Sequence, residues 1–163
     1  MPLQFRQDNK VRSVLHEWWA HLEDNKGDRA ALRRCQEPLE ALFVPAYHRL
    51  YHELRQHDGS SDLRLPAIAA LLAHVKSEVT DKEFASQMAT PKLTGGETPR
   101  LSELRFRRLL QCQTVNELFP ALRRVVYVLD GSVNLYSLAD SVYWWGEKVR
   151  RDWAYAYYGS LKQ

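Results

Sequence analysis

Apolar residues recur three and four positions apart along almost the whole chain, the spacing that gathers side chains on one face of an α-helix. Val11, Leu15, Trp18, Trp19 and Leu22 form the first such stripe and predict a helix from Asp8 to Glu23, broken by "EDNKGD". Asp28 has the side-chain acceptor needed to cap a second helix, "RAALRRCQ". "PLEALFVPAYHRLYHELRQ" predicts helical structure kinked or broken at Pro45, because proline lacks the donor and crowds the preceding turn. "LPAIAALLAHVK" is apolar on most sides and predicts a buried helix, and "KEFASQMAT" a short one.

In "PKLTGGETP" paired glycines sit between prolines, a loop composition. Thr98 followed by Pro99 matches a cap and a first-turn proline, so a helix is predicted from Pro99 to Gln113. Thr114 and Glu117 make a capping-box pattern for "TVNELFPALRRVVYVLDG", with Gly131 as its stop. A last long helix is predicted from Leu135 to Tyr158, with Leu138, Val142, Trp145 and Val149 as its seam. Alternating β-branched runs are missing, so the fold class is all-α. The loop around Gly95 and Gly96 divides it into two helical halves, residues 1–93 and 94–163.

Composition narrows the picture. At 163 residues and 45% hydrophobic content the chain can bury a true core, which excludes a disordered protein. Cys35 and Cys112 lie far apart and belong to no CxxC unit, so they read as structural thiols in a reducing compartment. No segment approaches the ~20 apolar residues of a membrane span, and the charged N-terminus is unlike a signal peptide, so a cytoplasmic protein with no membrane partner is expected.

A formal charge of +3 is too weak to drive polyanion binding by its total, so clustering decides. From Thr98 to Arg124 the arginines Arg100, Arg105, Arg107, Arg108, Arg123 and Arg124 face only Glu103 and Glu117. On a continuous helix Arg100 and Arg107, seven apart, project together, while Arg105 and Arg108 form an adjacent i, i+3 pair. Arg29, Arg33 and Arg34 make a second cluster, and Lys148, Arg150 and Arg151 a third. Guanidinium forks suit phosphate and stay charged at physiological pH. Two readings stand side by side: solvated helix faces, or grips on a phosphate backbone with little base readout.

Other chemistry finds no framework. His48 and His52 lie at i, i+4, but there is no HExxH and a usable site needs a third ligand and a shaped pocket, so with His57 they read as the polar side of an amphipathic helix. Asp58, Asp62 and Asp81 lack the spacing of a nuclease metal site. The aromatics of "YWWGEKVRRDWAYAYYG" resemble a stacking platform, yet Trp145, Val149 and Trp153 have the spacing of core residues. No catalytic residue, metal or cofactor is predicted.

Four stretches, "ALRRCQEP", "PRLSELRFRRLLQC", "LFPALRRVVYVLDG" and "LADSVYWWGEKVRRDWAYAYYG", in this order, resemble the CasB family, the small subunit of the type I-E CRISPR surveillance complex Cascade. The resemblance runs from about Leu32 to Gly159 and implies two small helical bundles packed together, without enzymatic activity. It also implies partners: a second copy of the chain, the guide-RNA-containing backbone subunits, the large subunit, and the target and non-target DNA strands of an R-loop. Carried over onto matching positions, the DNA-gripping residues are Arg33, Arg34, Arg100, Arg105, Arg107, Arg123, Arg124, Arg150 and Arg151, with Arg108 joining them from the charge pattern. Lys76 and Lys82 are candidate extra contacts. The alternative function is a helical protein–protein adaptor whose arginines meet an acidic partner and whose aromatic C-terminal helix docks in a groove.

Overall fold

The computed structural model describes residues 3–57, 62–94 and 96–161. Helix α1 (Asn9–His21) starts where Asp8 accepts hydrogen bonds from the backbone N–H groups of Lys10 and Val11. The two indoles at its end act as anchors, Trp18 Nε1 donating to the Ala46 carbonyl at 2.8 Å and Trp19 Nε1 to the Val75 carbonyl at 3.2 Å. Helix α2 (Lys26–Arg33) begins three residues before the predicted start. Asp28 therefore lies in its first turn and pairs with Arg49 instead of capping.

The predicted break at Pro45 is present. A 3-10 turn (Pro38–Phe43) ends at extended Val44, and α3 (Pro45–Leu54) starts with the proline in its first turn. Helix α4 (Arg64–Leu72) is buried from Leu65 to Leu72, as its all-round apolar sequence requires. Helix α5 (Phe84–Ala89) is the short helix expected from "KEFASQMAT".

Helix α6 is shorter than predicted: it spans Glu103–Leu110 and is capped by Ser102, whose side chain accepts from the Arg105 N–H. Residues 99–101 are instead tied to the end of α5, through a Pro91–Pro99 bridge and a 2.9 Å bond from Leu101 N to the Met88 carbonyl. Arg100 thus lies outside the helix, and its predicted alignment with Arg107 does not occur. Helix α7 (Val115–Val128) has the expected Thr114 cap, whose Oγ1 accepts from Glu117 N at 3.1 Å. It stops at Asp130 and Gly131, with φ of 58° and 76°. Gly131 also touches the Lys76 stem so closely that an added Cβ would lie 3.0 Å from Lys76 Cγ.

The predicted single C-terminal helix is two, α8 (Leu135–Tyr143) and α9 (Glu147–Ser160). At the break, Trp144 Nε1 donates to the Leu3 carbonyl and Trp145 Nε1 to the Cys112 carbonyl, so adjacent indoles clamp different segments. Gly146, a poor helix former, follows them. Two-residue strands β1 (Ser77–Glu78) and β2 (Ser132–Val133) pair in parallel, too short to leave an alternating pattern in the sequence.

Packing crosses residue 94 repeatedly. Helix α5 lies along α9, α4 lies against α7 and α8, and β1 pairs with β2. The buried Gln87 bridges these elements, donating to the Ser132 carbonyl and accepting from Asn134 N, each at 2.9 Å. Buried apolar side chains from Leu3 to Tyr157 form one cluster with members on both sides of that position. Among the described residues no helix is long and apolar enough to cross a membrane.

Candidate nucleic-acid interface

Five elements deliver cations to one groove of about 640 Å³. Arg33 is the last residue of α2, Arg123 projects from α7, and Lys76 follows α4. Lys92 follows α5, and Arg100 rides on the extended segment held against Met88. The lining also includes His74, Tyr127 and Asp130. Asp130 is the acid among them, and it lies 3.7 Å from Lys92 in an exposed pair of little energetic weight.

The electrostatics of the groove act on His74. Burial, followed by the charges of Arg33, Arg123 and Arg29, lowers its pKa from 6.5 to about 4, so the ring is neutral at physiological pH. Its Nε2 and the Nε of Arg100 are buried, and among the described residues neither has a hydrogen-bond partner. Arg123 gives one N–H to the Cys35 carbonyl at 2.9 Å, which fixes its guanidinium while leaving further donors. Arg29 serves the fold: it donates to the carbonyls of Ala73 and Val75 at the end of α4.

The depressed His74 pKa has a defined sign. Between pH 6.5 and 4 the unfolded chain binds the proton that the folded chain refuses, so stability present above pH 6.5 is lost as pH falls through this window. Between pH 7 and 5 the loss is expected to be about 1–2 kcal/mol. Urea unfolding midpoints at both pH values, compared between the parent and His74→Gln, check it: the variant should show a smaller drop.

A second cavity of about 370 Å³ adjoins the first, Val128 lining both. Arg105 and Arg108 enter it from α6 and Arg124 from α7, opposite Glu117 and above Leu101, Leu109 and Val125. Among the described residues, none of Arg33, Arg100, Arg105, Arg108, Arg123 and Arg124 forms an ion pair with a carboxylate. Three helices and the extended 99–101 segment therefore bring these six arginines to adjoining cavities, with no carboxylate pair among the described residues.

The other four predicted arginines lie elsewhere. Arg34 is exposed beyond both cavities. Arg107 faces α9, where its charge acts on Tyr158. Arg150 donates to the Leu110 carbonyl at 3.4 Å and has a buried Nε, so it joins α9 to the end of α6. Arg151 is exposed on α9, and the pairing with Asp152 is made by Lys148. Lys82 reaches the Thr90 hydroxyl at 3.4 Å. Sequence reasoning missed Lys92, His74 and Tyr127; only Tyr127 left a signal, standing one turn after Arg123.

Of the histidines, carboxylates and thiols in the sequence, His48, Asp62, Cys35 and Cys112 are otherwise engaged. His48 Nε2 meets the Leu42 carbonyl at 2.7 Å, and among the described residues no group of three His, Cys, Asp or Glu is placed to hold a metal. Asp62 pairs with Arg64, while Asp58 lies outside the described residues. Burial pushes the Cys35 and Cys112 thiols upward, away from the reactive thiolate. Trp153 and Tyr157 of the aromatic C-terminal stretch are core.

Fold and site define a small, mainly helical protein with a cationic groove whose arginines, among the described residues, have no carboxylate partner. The family model of CRISPR-associated protein Cse2 matches residues 28–158, and the chain belongs to that family. Its members are non-catalytic components. Among solved structures, a chain of E. coli Cascade bound to a PAM-containing dsDNA target is similar at TM-score 0.70 and 18% identity, over 91% of this chain and 94% of that one. CasB from Thermus thermophilus is similar at TM-score 0.63 and 23% identity, over 91% and 97%. None of the curated protein sequences matches the chain.

Proposed function

We propose that this Cse2-family chain is the small subunit of a type I-E Cascade complex, and that its groove grips DNA phosphates without reading sequence. One observation carries the reading: arginines from α2, α6, α7 and the 99–101 segment share two adjoining cavities and, among the described residues, have no carboxylate partners. In such complexes the guide RNA reads sequence by base pairing, so a small subunit has only to neutralise phosphates and fix a strand's path. R-loop formation is close to energetic balance, and a few arginine–phosphate contacts suffice to tilt it. The target and displaced strands are the nucleic-acid partners, and the backbone subunits, the large subunit and a second copy of this chain are the protein partners, all in the cytoplasm. Likeness to a chain from a DNA-bound Cascade supports the assembly.

The test is binding of the purified protein to fluorescent oligonucleotides of unrelated sequence between 50 and 300 mM salt. The expected result is weak, sequence-independent binding whose log affinity falls linearly with log salt. Affinity that ignores salt, or no binding even at 50 mM, overturns the reading. A stable protein partner captured without a nuclease-sensitive component would favour the adaptor instead.

A further inference from the structure

Tyr127 is not needed by the fold. The residue is 84% exposed, and among the described residues its hydroxyl makes no hydrogen bond. A single exposed aromatic is ordinary on a protein surface, so exposure alone carries nothing. Its surroundings do: Tyr127 lines the groove that holds Arg33, Lys76, Arg100 and Arg123, and it stands one helical turn after Arg123 on the same face of α7. The ring is therefore set among cations already freed of carboxylate partners.

Its mounting is rigid. The Tyr127 carbonyl accepts from Asp130 N at 2.9 Å, in a turn whose two left-handed residues close α7. The Gly131 carbonyl then accepts from Lys76 N and Ser77 N, at 2.8 and 3.2 Å, which locks the turn to the opposite wall. The backbone that carries the ring is thus already ordered, and only the two side-chain torsions are left to fix when a flat partner settles on it.

We infer that Tyr127 is a stacking platform for one unpaired base, so that the groove takes single-stranded nucleic acid in preference to duplex. This rests on the groove being a nucleic-acid site and adds to its phosphate grip a contact to the base. Phosphates engage the cations whether a strand is paired or not, whereas a duplex keeps its bases stacked inside and offers the ring nothing. Every base has a π-face, so stacking strengthens binding without making it sequence-specific.

The test uses the full-length protein and three ten-nucleotide probes: oligothymidylate, an abasic strand of equal length, and a duplex. Stacking predicts that oligothymidylate binds about 5- to 100-fold more tightly than the abasic strand. Tyr127→Ala should bring that ratio close to one while leaving abasic affinity unchanged, and Tyr127→Phe should keep the ratio. Arg33→Ala should weaken the two single strands alike. A parental ratio of one, or a ratio that survives Tyr127→Ala, overturns the stacking role while the cationic groove stands. Failure of the parent to bind any probe at low salt overturns the groove reading itself, and stacking with it.

Discussion

Arg33→Ala, Arg105→Ala and Arg108→Ala combined should weaken single-stranded DNA binding roughly 100-fold at 0.1 M salt, with the log–log salt slope falling by roughly 2. Each lost phosphate contact removes about 0.7 from the slope for a single strand, and at 0.1 M the same factor multiplies into affinity. The informative control removes an equal charge from the wrong places. Arg34→Ala, Arg107→Ala and Arg151→Ala combined also takes the formal +3 of the chain to zero. All six side chains are exposed, so neither triple variant opens the core. If total charge governed binding, the two variants would lose equally. Convergence in adjoining cavities requires the first to lose most of its affinity and the second little, and equal losses in a salt titration would remove the basis of the groove.

That contrast separates what the sequence made legible from what it hid. Periodicity predicted α4, α5 and α7 and the break at Pro45, because these depend on local patterning and on proline. It failed at Pro99, where a good local start lost to tertiary pairing: the segment bonds to Met88 and Pro91, and the helix waits for Ser102. It failed again at Trp144 and Trp145, whose indoles find carbonyls in remote segments that no local window contains. The site followed the same rule. Charge clustering found the arginines, but the choice between Arg105 and Arg107, or between Arg33 and Arg34, depends on which side chains the tertiary packing turns toward the cavities. Lys92 and His74 reach the groove only through the path of the chain, so their sequence neighbourhoods announce nothing.

Trp153→Ala should cost about 3–5 kcal/mol, a large part of the 5–15 kcal/mol typical of a whole domain. Trp153 is 4% exposed. Its Nε1 donates to the Ser141 hydroxyl at 3.0 Å, and its ring packs on Phe84 and Trp145 with centroids 5.6 and 5.0 Å away. Phe84 belongs to residues 1–93 and Trp153 to residues 94–163, so the same side chain joins the two predicted halves. One helical turn further on, Tyr157 stacks on Phe106 with centroids 3.9 Å apart and donates to the Leu101 carbonyl at 2.6 Å, holding the segment that carries Arg100. Loosening α9 therefore reaches the groove without touching any cation. Tyr155→Ala, on the same helix but at a side chain 76% exposed, should change stability by no more than about 0.5 kcal/mol. Urea unfolding followed by tryptophan fluorescence and by far-UV circular dichroism should give coincident single transitions for the parent, shifted to much lower urea in Trp153→Ala and partly restored in Trp153→Phe. Two separated transitions would instead mean that residues 1–93 and 94–163 melt independently, and the groove, which draws Arg33 from one and Arg123 from the other, would lose its rigid frame.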